Sequence, residues 1–128
     1  MKTSAAVQTL AALAQKTRLE VFRLLVQRGP EGLAAGEIGE RLGLPSPTLS
    51  FHLNQLRFAG LVGSRRQSRS IIYHANYKTM GDLLAYLTQN CCGGRPELCA
   101  PLADTLEPVA GCKPAQAIKP RSQRRVSR

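Results

Sequence analysis

The chain has 128 residues, of which 43% are hydrophobic, so it is long enough and apolar enough to form one folded domain of ordinary size. It has no run of 18 apolar residues, and its first residues show an alanine-rich amphipathic pattern rather than a signal-peptide core. We therefore expect a cytoplasmic protein with no transmembrane helix and no membrane partner.

The net charge of +10 is unevenly distributed along the chain. Residues 113–128 contain six cations and no acid, so the preceding residues carry a net charge of only +4. A basic tail of this kind either adds non-specific affinity for phosphate groups or is merely a disordered, soluble end. We predict a folded domain at residues 1–92, followed by a flexible segment at 93–128 that carries Cys99 and the basic tail.

Three helices are predicted in the first third of the chain from apolar residues at helical spacing. The first covers about residues 4–14. A capping box formed by Thr17 and Glu20 predicts the start of the second, and Gly29 followed by proline ends it. The third covers about Ala34–Leu42, and Gly43 ends it. The predicted buried residues of the second helix are Leu19, Phe22, Leu25 and Val26.

The stretch Ser46–Leu56 predicts a short helix with one apolar and one polar side. Ser46 suits the N-cap, and Pro47 suits the first helical position. A leucine stripe runs along the helix, and Thr48, His52 and Gln55 share a neighbouring polar flank. After a short helix and a turn containing glycine, this is typical of the second helix of a helix-turn-helix unit, which enters the DNA major groove. The alternative is a polar face that is merely solvated.

A β-hairpin is predicted after this helix. Its strands begin at Leu61 and at Ile71, and the segment between them is rich in arginine and contains no acid. Beside a helix-turn-helix, such a hairpin is typical of a wing that lies on phosphates or in the minor groove, although an ordinary basic hairpin has the same composition. The candidate wing cations are Arg65, Arg66 and Arg69.

A last helix is predicted from about Tyr77, with Asn76 as its cap. Four of its apolar residues form a stripe that must be buried either on its own domain or on a second copy of the chain. These residues are Met80, Leu83, Leu84 and Leu87.

All four cysteines, Cys91, Cys92, Cys99 and Cys112, lie in the last third of the chain. Without a signal peptide, this clustering favours reduced thiols for metal binding or redox chemistry. If the last helix continues to Cys91, that residue falls in phase with the apolar stripe, and the following glycines let Cys99 fold back. Three converging thiolates suit a soft, three-coordinate ion such as arsenite or antimonite, whereas structural zinc would need a fourth ligand.

Known catalytic motifs are missing from the sequence, which has no phosphate-binding loop, no dinucleotide fingerprint and no arrangement of serine, histidine and aspartate typical of hydrolases. The spacing from Cys92 to Arg95 is too short for a phosphatase-like reductase loop. We therefore predict that the chain is not an enzyme.

The order of these parts resembles the ArsR/SmtB family of winged helix-turn-helix repressors over about residues 5–90. The residues that carry the resemblance are Lys16–Leu19, Leu24–Leu25, Gly36–Ile38, Leu49–Leu53, Leu56, Ala59–Val62 and Arg65–Arg66 through Tyr73. The resemblance implies a mainly α fold with a β-hairpin wing, in the order α-α-α-α-β-β-α. It also implies a homodimer packed through the first and last helices, with Leu10, Met80, Leu83, Leu84 and Leu87 as the expected contacts.

In the family, the Ser46–Gln55 helix would lie in the groove of double-stranded operator DNA. This implies Thr48, Ser50 and Gln55 as base-contacting candidates, and His52 matches a common family histidine that is either structural or a base contact. Phe51 departs from the polar or basic residue of many members and suggests contact with a thymine methyl group. The full set of expected DNA-binding residues is Ser46, Thr48, Ser50, Phe51, His52, Gln55, Arg65, Arg66 and Arg69.

The resemblance also suggests which cysteines bind an ion. The cysteine pair that many arsenic-sensing members carry near the third helix is absent from Leu33–Ile38. Other members with an adjacent cysteine pair and a third cysteine after the last helix respond to trivalent arsenic, which implies Cys91, Cys92 and Cys99 as ligands. We expect a repressor of a metalloid-resistance operon that arsenite or antimonite releases. The alternatives are cadmium, lead or zinc, thiol oxidation, and a protein-interaction module that reuses the fold.

Overall fold

The structure is a computed structural model of the chain, and it describes residues 1–95 and 97–98. The helices are α1 (Thr3–Leu13), α2 (Lys16–Arg28), α3 (Ala35–Leu42), α4 (Ser46–Phe58) and α5 (Tyr77–Thr88). The strands are β1 (Leu33–Ala34), β2 (Val62–Gln67) and β3 (Ser70–Ala75), and a 3₁₀ turn covers Cys91–Gly94. The chain divides into one unit at Met1–Gln89 and a second that begins at Asn90. Across the residues described, no helix is long and apolar enough to cross a membrane.

This architecture confirms the predicted order of four helices, a hairpin and a last helix. The three strands form one antiparallel sheet in the order β1-β3-β2, with Leu33 opposite Tyr73 and Val62 opposite Ala75. The sequence did not indicate β1, because a strand of two residues is too short to produce a detectable alternation of apolar and polar side chains.

The core lies between α2, α4 and the sheet. Leu25, Leu56 and Leu61 are fully buried there, and the predicted leucine stripe of α4 forms one wall of it. The prediction was wrong for Leu19, which is 42% exposed, while Val21 is fully buried instead. The buried arc of α2 is therefore centred on Val21, Phe22 and Leu25, rotated from the stripe that the spacing suggested.

Two predicted helix starts are wrong by one or two residues. Gln15, not Thr17, caps α2, since its side-chain oxygen accepts a hydrogen bond from the Arg18 backbone N–H at 2.8 Å. Glu20 forms an ion pair with Lys16, which draws it away from the predicted capping box. Pro45, with extended backbone, is the N-cap of α4, so Ser46 is the first helical residue and Pro47 follows within the first turn.

The loop between α2 and β1 depends on glycine. Gly32 has a φ of +70°, and a Cβ atom there would collide with the carbonyl oxygen of Tyr73 in β3. Any other residue would have both an unfavourable backbone conformation and a steric clash. The loop is therefore held closely against the hairpin.

Asn76 joins the end of α4 to the start of α5. Its side-chain oxygen accepts from the Thr79 N–H at 3.2 Å, which confirms it as the cap of α5. Its side-chain amide donates to the Gly60 carbonyl at 2.9 Å, and its backbone N–H donates to the Leu61 carbonyl at 2.8 Å. One residue thus connects the segment after the helix-turn-helix with the last helix.

The last helix does not continue to Cys91. It ends at Thr88, and Asn90 has a left-handed backbone conformation with φ of +56°, which breaks the helical phase before the cysteines. The sequence-based expectation that Cys91 continues the apolar stripe of this helix is therefore wrong.

We predict that Asn76→Ala lowers the free energy of unfolding by about 1–3 kcal/mol, because it removes the helix cap and the bond to Gly60 together. Asn76→Ser is the matched control, since a serine hydroxyl caps a helix but is too short to bridge to Gly60, and it should lose about half as much. Urea unfolding measures both values. No loss for Asn76→Ser would show that the bridge contributes nothing, whereas equal losses for the two variants would show that the cap contributes nothing.

Candidate nucleic-acid interface

The outward face of α4 is uncharged at its centre. Its buried arc consists of Leu49, His52, Leu53 and Leu56. At 100° per residue, the direction opposite this arc falls close to Phe51 and Phe58, which are 57% and 77% exposed. The predicted residues Ser46, Thr48 and Ser50 are also exposed, at the sides of this face. Gln55 is half-buried and lies near the rim beside α1.

His52 does not belong to the exposed face. It is only 9% exposed, and its Nδ1 lies 3.5 Å from the Arg18 guanidinium, while Arg18 Nε donates to the Ala12 carbonyl at 2.6 Å. Burial, and then the nearby Arg18 charge, hold the pKa of His52 below its ordinary value of 6.5. His52 therefore packs α4 against the α1–α2 junction as a neutral ring, and its expected DNA contact is corrected to this structural role.

Sequence reasoning missed three exposed residues of α4, namely Asn54, Arg57 and Phe58. The centre of the arc opposite the leucine stripe could have indicated Asn54 and Phe58, whereas Arg57 lies about 90° from it. The polar pattern instead indicates residues on the flanks of this face. Asn54 lies about 30° from the centre of the outward face, whereas Gln55 lies about 70° from it on the other side.

The three arginines of the hairpin differ in their contacts with the rest of the chain. It contains no acidic residue from Val62 to Ala75 and turns tightly at Ser68, whose φ is +58°. Arg66, on β2, and Arg69, in the turn, are exposed as predicted. Arg65 is also exposed, but it donates to the carbonyl oxygens of Pro30 at 3.2 Å and Glu31 at 2.7 Å. It therefore ties the hairpin to the loop after α2 rather than presenting its charge at the tip.

An apolar strip remains exposed on α1 and α5, two helices that are joined by a hydrogen bond between Thr3 and Tyr86. Of the five predicted dimer residues, Leu10, Leu84 and Leu87 are 42%, 45% and 55% exposed. Met80 is half-buried against the core, and Leu83 is 5% exposed, so Leu83 packs within its own chain and is not a surface residue. Val7, 60% exposed, belongs to the same strip and was missed.

In the second unit, the 3₁₀ turn brings two predicted ligands together. The sulfur atoms of Cys91 and Cys92 lie 3.3 Å apart, both residues are half-buried, and Cys92 has a left-handed φ of +64°. Cys92 is disulfide-bonded, in contrast to the reduced thiols that the sequence favoured. The third predicted ligand, Cys99, and Cys112 with the basic tail lie outside the described residues. Within the described residues no group of three possible metal ligands is assembled.

Comparison with known proteins agrees with this geometry. A family described as a helix-turn-helix domain matches residues 13–65. The regulator HlyU from Vibrio cholerae has a solved structure that is 33% identical, with a TM-score of 0.55, over 68% of this chain and 97% of that one. An ArsR-like regulator from Rhodococcus, 24% identical with a TM-score of 0.61 over 83% and 96% of the chains, shares the fold. The chain belongs to the family of helix-turn-helix transcriptional regulators.

The matches to curated relatives cover only part of this chain and part of each relative. The uncharacterised regulator YceK from Bacillus subtilis is 40% identical over 63 residues, which is 49% of this chain and 62% of YceK. The chain spans between 49% and 62% of the length of three curated regulators that it matches. The relatives are transcriptional regulators, which confirms the prediction that the chain is not an enzyme.

We predict that Arg65→Gln lowers the free energy of unfolding of the regulator by about 0.5–1.5 kcal/mol, because it removes a charged donor from two carbonyl groups. Arg66→Gln on the neighbouring position of the same strand is the matched control and should change stability by less than about 0.5 kcal/mol. Chemical unfolding compares the two variants. A loss for Arg66→Gln as large as that for Arg65→Gln would contradict the assigned bond.

We predict that the regulator loses stability as the pH falls below 6.5. The unfolded chain protonates His52 near that pH, whereas the folded chain resists protonation, so the unfolded state binds more protons and is favoured. His52→Asn, which keeps an acceptor near Arg18, should reduce the slope of unfolding free energy against pH between about pH 5 and pH 7. An unchanged slope in this variant would mean that His52 does not titrate with folding.

Proposed function

We propose that the chain is a homodimeric repressor of a metalloid-resistance operon, bound to operator DNA until trivalent arsenic or antimony binds its cysteines. The observation that carries the DNA-binding part is the pairing of an exposed, acid-free α4 face with the exposed Arg66 and Arg69 of the hairpin. A helix of this width enters the major groove, and guanidinium groups on a neighbouring hairpin suit phosphates.

The proposed dimer rests on the exposed apolar strip. The strip is a candidate interface because its four exposed residues lie on two helices that contact each other, namely Val7, Leu10, Leu84 and Leu87. Burying it against the same strip of a second copy follows the two-fold symmetry of most homodimers. Such a dimer presents two copies of α4, which suits an operator with two half-sites.

The proposed sensor consists of Cys91, Cys92 and Cys99. Two sulfur ligands of one ion, each at about 2.3 Å from it, must lie within about 4.6 Å of each other. The 3.3 Å separation of the Cys91 and Cys92 sulfur atoms meets that condition. The soft thiolate character of this donor set favours a thiophilic ion, and three ligands favour arsenite or antimonite over zinc.

Release of the DNA follows from thermodynamic linkage between ion binding and DNA binding. Thiolates must lose their protons to bind the ion, so binding releases protons and depends on pH. If the ion binds the DNA-free form more tightly, it lowers the affinity for DNA by the same factor by which DNA lowers the affinity for the ion. The whole effect requires reduced cysteines.

Thiol oxidation is the second candidate signal, and the disulfide-bonded state of Cys92 favours it. A disulfide removes a thiolate from the sensor and therefore blocks ion binding. In this version an oxidant such as a peroxide, which takes two electrons from a cysteine pair, controls the regulator. Cadmium, lead and zinc are the remaining alternatives, and the same titration distinguishes them.

We predict that, in excess phosphine reductant, arsenite lowers the affinity of the wild-type chain for its own promoter DNA at least tenfold. Cys91→Ser, Cys92→Ser and Cys99→Ser should each bind DNA normally but lose this response, because each removes one of three thiolates. Cys112→Ser is the matched control and should respond normally. Mobility shift with arsenite, antimonite, cadmium, lead and zinc in turn makes the measurement.

Three outcomes would contradict parts of the proposal. Normal arsenite release in all three serine variants would exclude the cysteine site. Release by peroxide without arsenite, with no arsenite effect under reductant, would replace metalloid sensing by oxidation sensing. Failure to bind any promoter fragment at low salt would leave the protein-interaction module as the explanation of the fold.

A further inference from the structure

The outward face of α4 combines two exposed aromatic rings with one exposed amide. Phe51 and Phe58 are 57% and 77% exposed, and Asn54 lies between them in sequence and is also exposed. Large apolar side chains this open to solvent on the same helical face indicate an interaction surface more strongly than isolated ones do. The rest of α4 and the hairpin contain no acid, so the surface suits a polyanionic partner.

We propose that Asn54 is a base-reading residue of this chain and that it selects an adenine whose neighbouring pairs present thymine methyl groups to Phe51 and Phe58. The proposal rests on the function proposed above and deepens it, since it names the base sequence that α4 binds. An asparagine amide can donate to adenine N7 and accept from the adenine N6–H₂ group at the same time, and this bidentate geometry fits adenine among the four bases.

The spacing of the three side chains supports this reading. Along the helix axis Asn54 lies about 4.5 Å beyond Phe51 and about 6 Å before Phe58, and all three point within about 60° of one another. Together they span about 10.5 Å, which corresponds to about three base-pair steps of 3.4 Å. One amide flanked by two apolar contacts therefore matches one adenine flanked by methyl-bearing pairs.

The other polar residues of α4 are placed less favourably for this task. His52 is buried against Arg18, and Gln55 is half-buried near α1. Thr48 and Ser50 are exposed at the sides of the face and have short side chains suited to phosphate or edge contacts. Among the described residues of α4, Asn54 is the exposed amide nearest the centre of the outward face.

The first experiment is selection of a random duplex library with the full-length chain under reductant at fixed salt. The expected result is a selected half-site in which an A·T pair is fixed and flanked by A·T pairs. Selected sites whose fixed positions are all G·C would overturn the inference while leaving DNA binding intact. Absence of binding to every duplex would overturn the proposed function itself, and the inference with it.

The second experiment tests Asn54 at the level of single atoms, by fluorescence anisotropy on the best selected duplex. Replacing the fixed adenine by 7-deazaadenine removes the N7 acceptor, and replacing it by guanine keeps N7 but exchanges the N6 donor for the O6 acceptor. The guanine duplex should weaken wild-type binding about 5- to 150-fold, the discrimination of one bidentate pair, and 7-deazaadenine should weaken it less. Asn54→Ala should bind all three duplexes within about twofold of one another.

The flanking contacts have their own probe. Replacing thymine by uracil deletes one methyl group and should weaken wild-type binding about fourfold, the value of one buried methyl. Phe51→Ala and Phe58→Ala should each lose this sensitivity at one position. Sensitivity of both variants equal to that of the wild type would overturn the assignment of the aromatic residues.

Arg66→Ala is the matched control for Asn54→Ala. As a phosphate contact it should weaken binding to all duplexes alike and lower the salt dependence, without changing the preference for adenine. Urea unfolding should give Asn54→Ala and Arg66→Ala the stability of the wild type, because both altered side chains are exposed. Asn54→Ala that keeps the wild-type preference for adenine would overturn the inference and leave the repressor proposal standing.

Discussion

The buried arc of α4 determines how the rest of the molecule is arranged. Leu49, Leu53 and Leu56 are each no more than 2% exposed, and they pack against α2, α3 and the start of the sheet. Burial of three leucines stabilises the fold by several kcal/mol, so the rotation of this helix about its axis is fixed. Fixing the rotation fixes which side chains face outward, and the proposed chemistry of the surface follows from the packing of the core.

Hydrogen bonds from side chains to main-chain carbonyls connect this core to its surroundings. Asn76 links the segment after α4 to α5, and Arg65 links the hairpin to the loop after α2. Arg18 contacts the α1 end and His52 together. These bonds are individually modest, but most of them join elements far apart in sequence and so restrict their relative orientation. Sequence spacing alone could not reveal them, because the partners have no periodic relation.

The sequence predicted the elements well and their surroundings less well. The leucine period of α4, the cap at Asn76 and the turn at Gly43 were all recognisable, because each depends on local chemistry. The sequence did not reveal that His52 is buried, because its position on the helix lies at the boundary between the buried and the exposed side. Its contact with Arg18, which lies on the buried side, cannot be seen from helical spacing. The end of α5 before Cys91 depends on the left-handed turn at Asn90, which helical spacing cannot anticipate.

The contact between Arg65 and the loop after α2 limits which changes in the length of this loop are compatible with the fold. The acceptors are the main-chain carbonyls of Pro30 and Glu31, so the side chains at these positions are not needed for the bond. A substitution there leaves both acceptors in place, but an inserted or deleted residue would shift both carbonyls out of reach and disturb Gly32 beside Tyr73. The loop is therefore constrained at Gly32 and in its length, and its length sets the position of the hairpin.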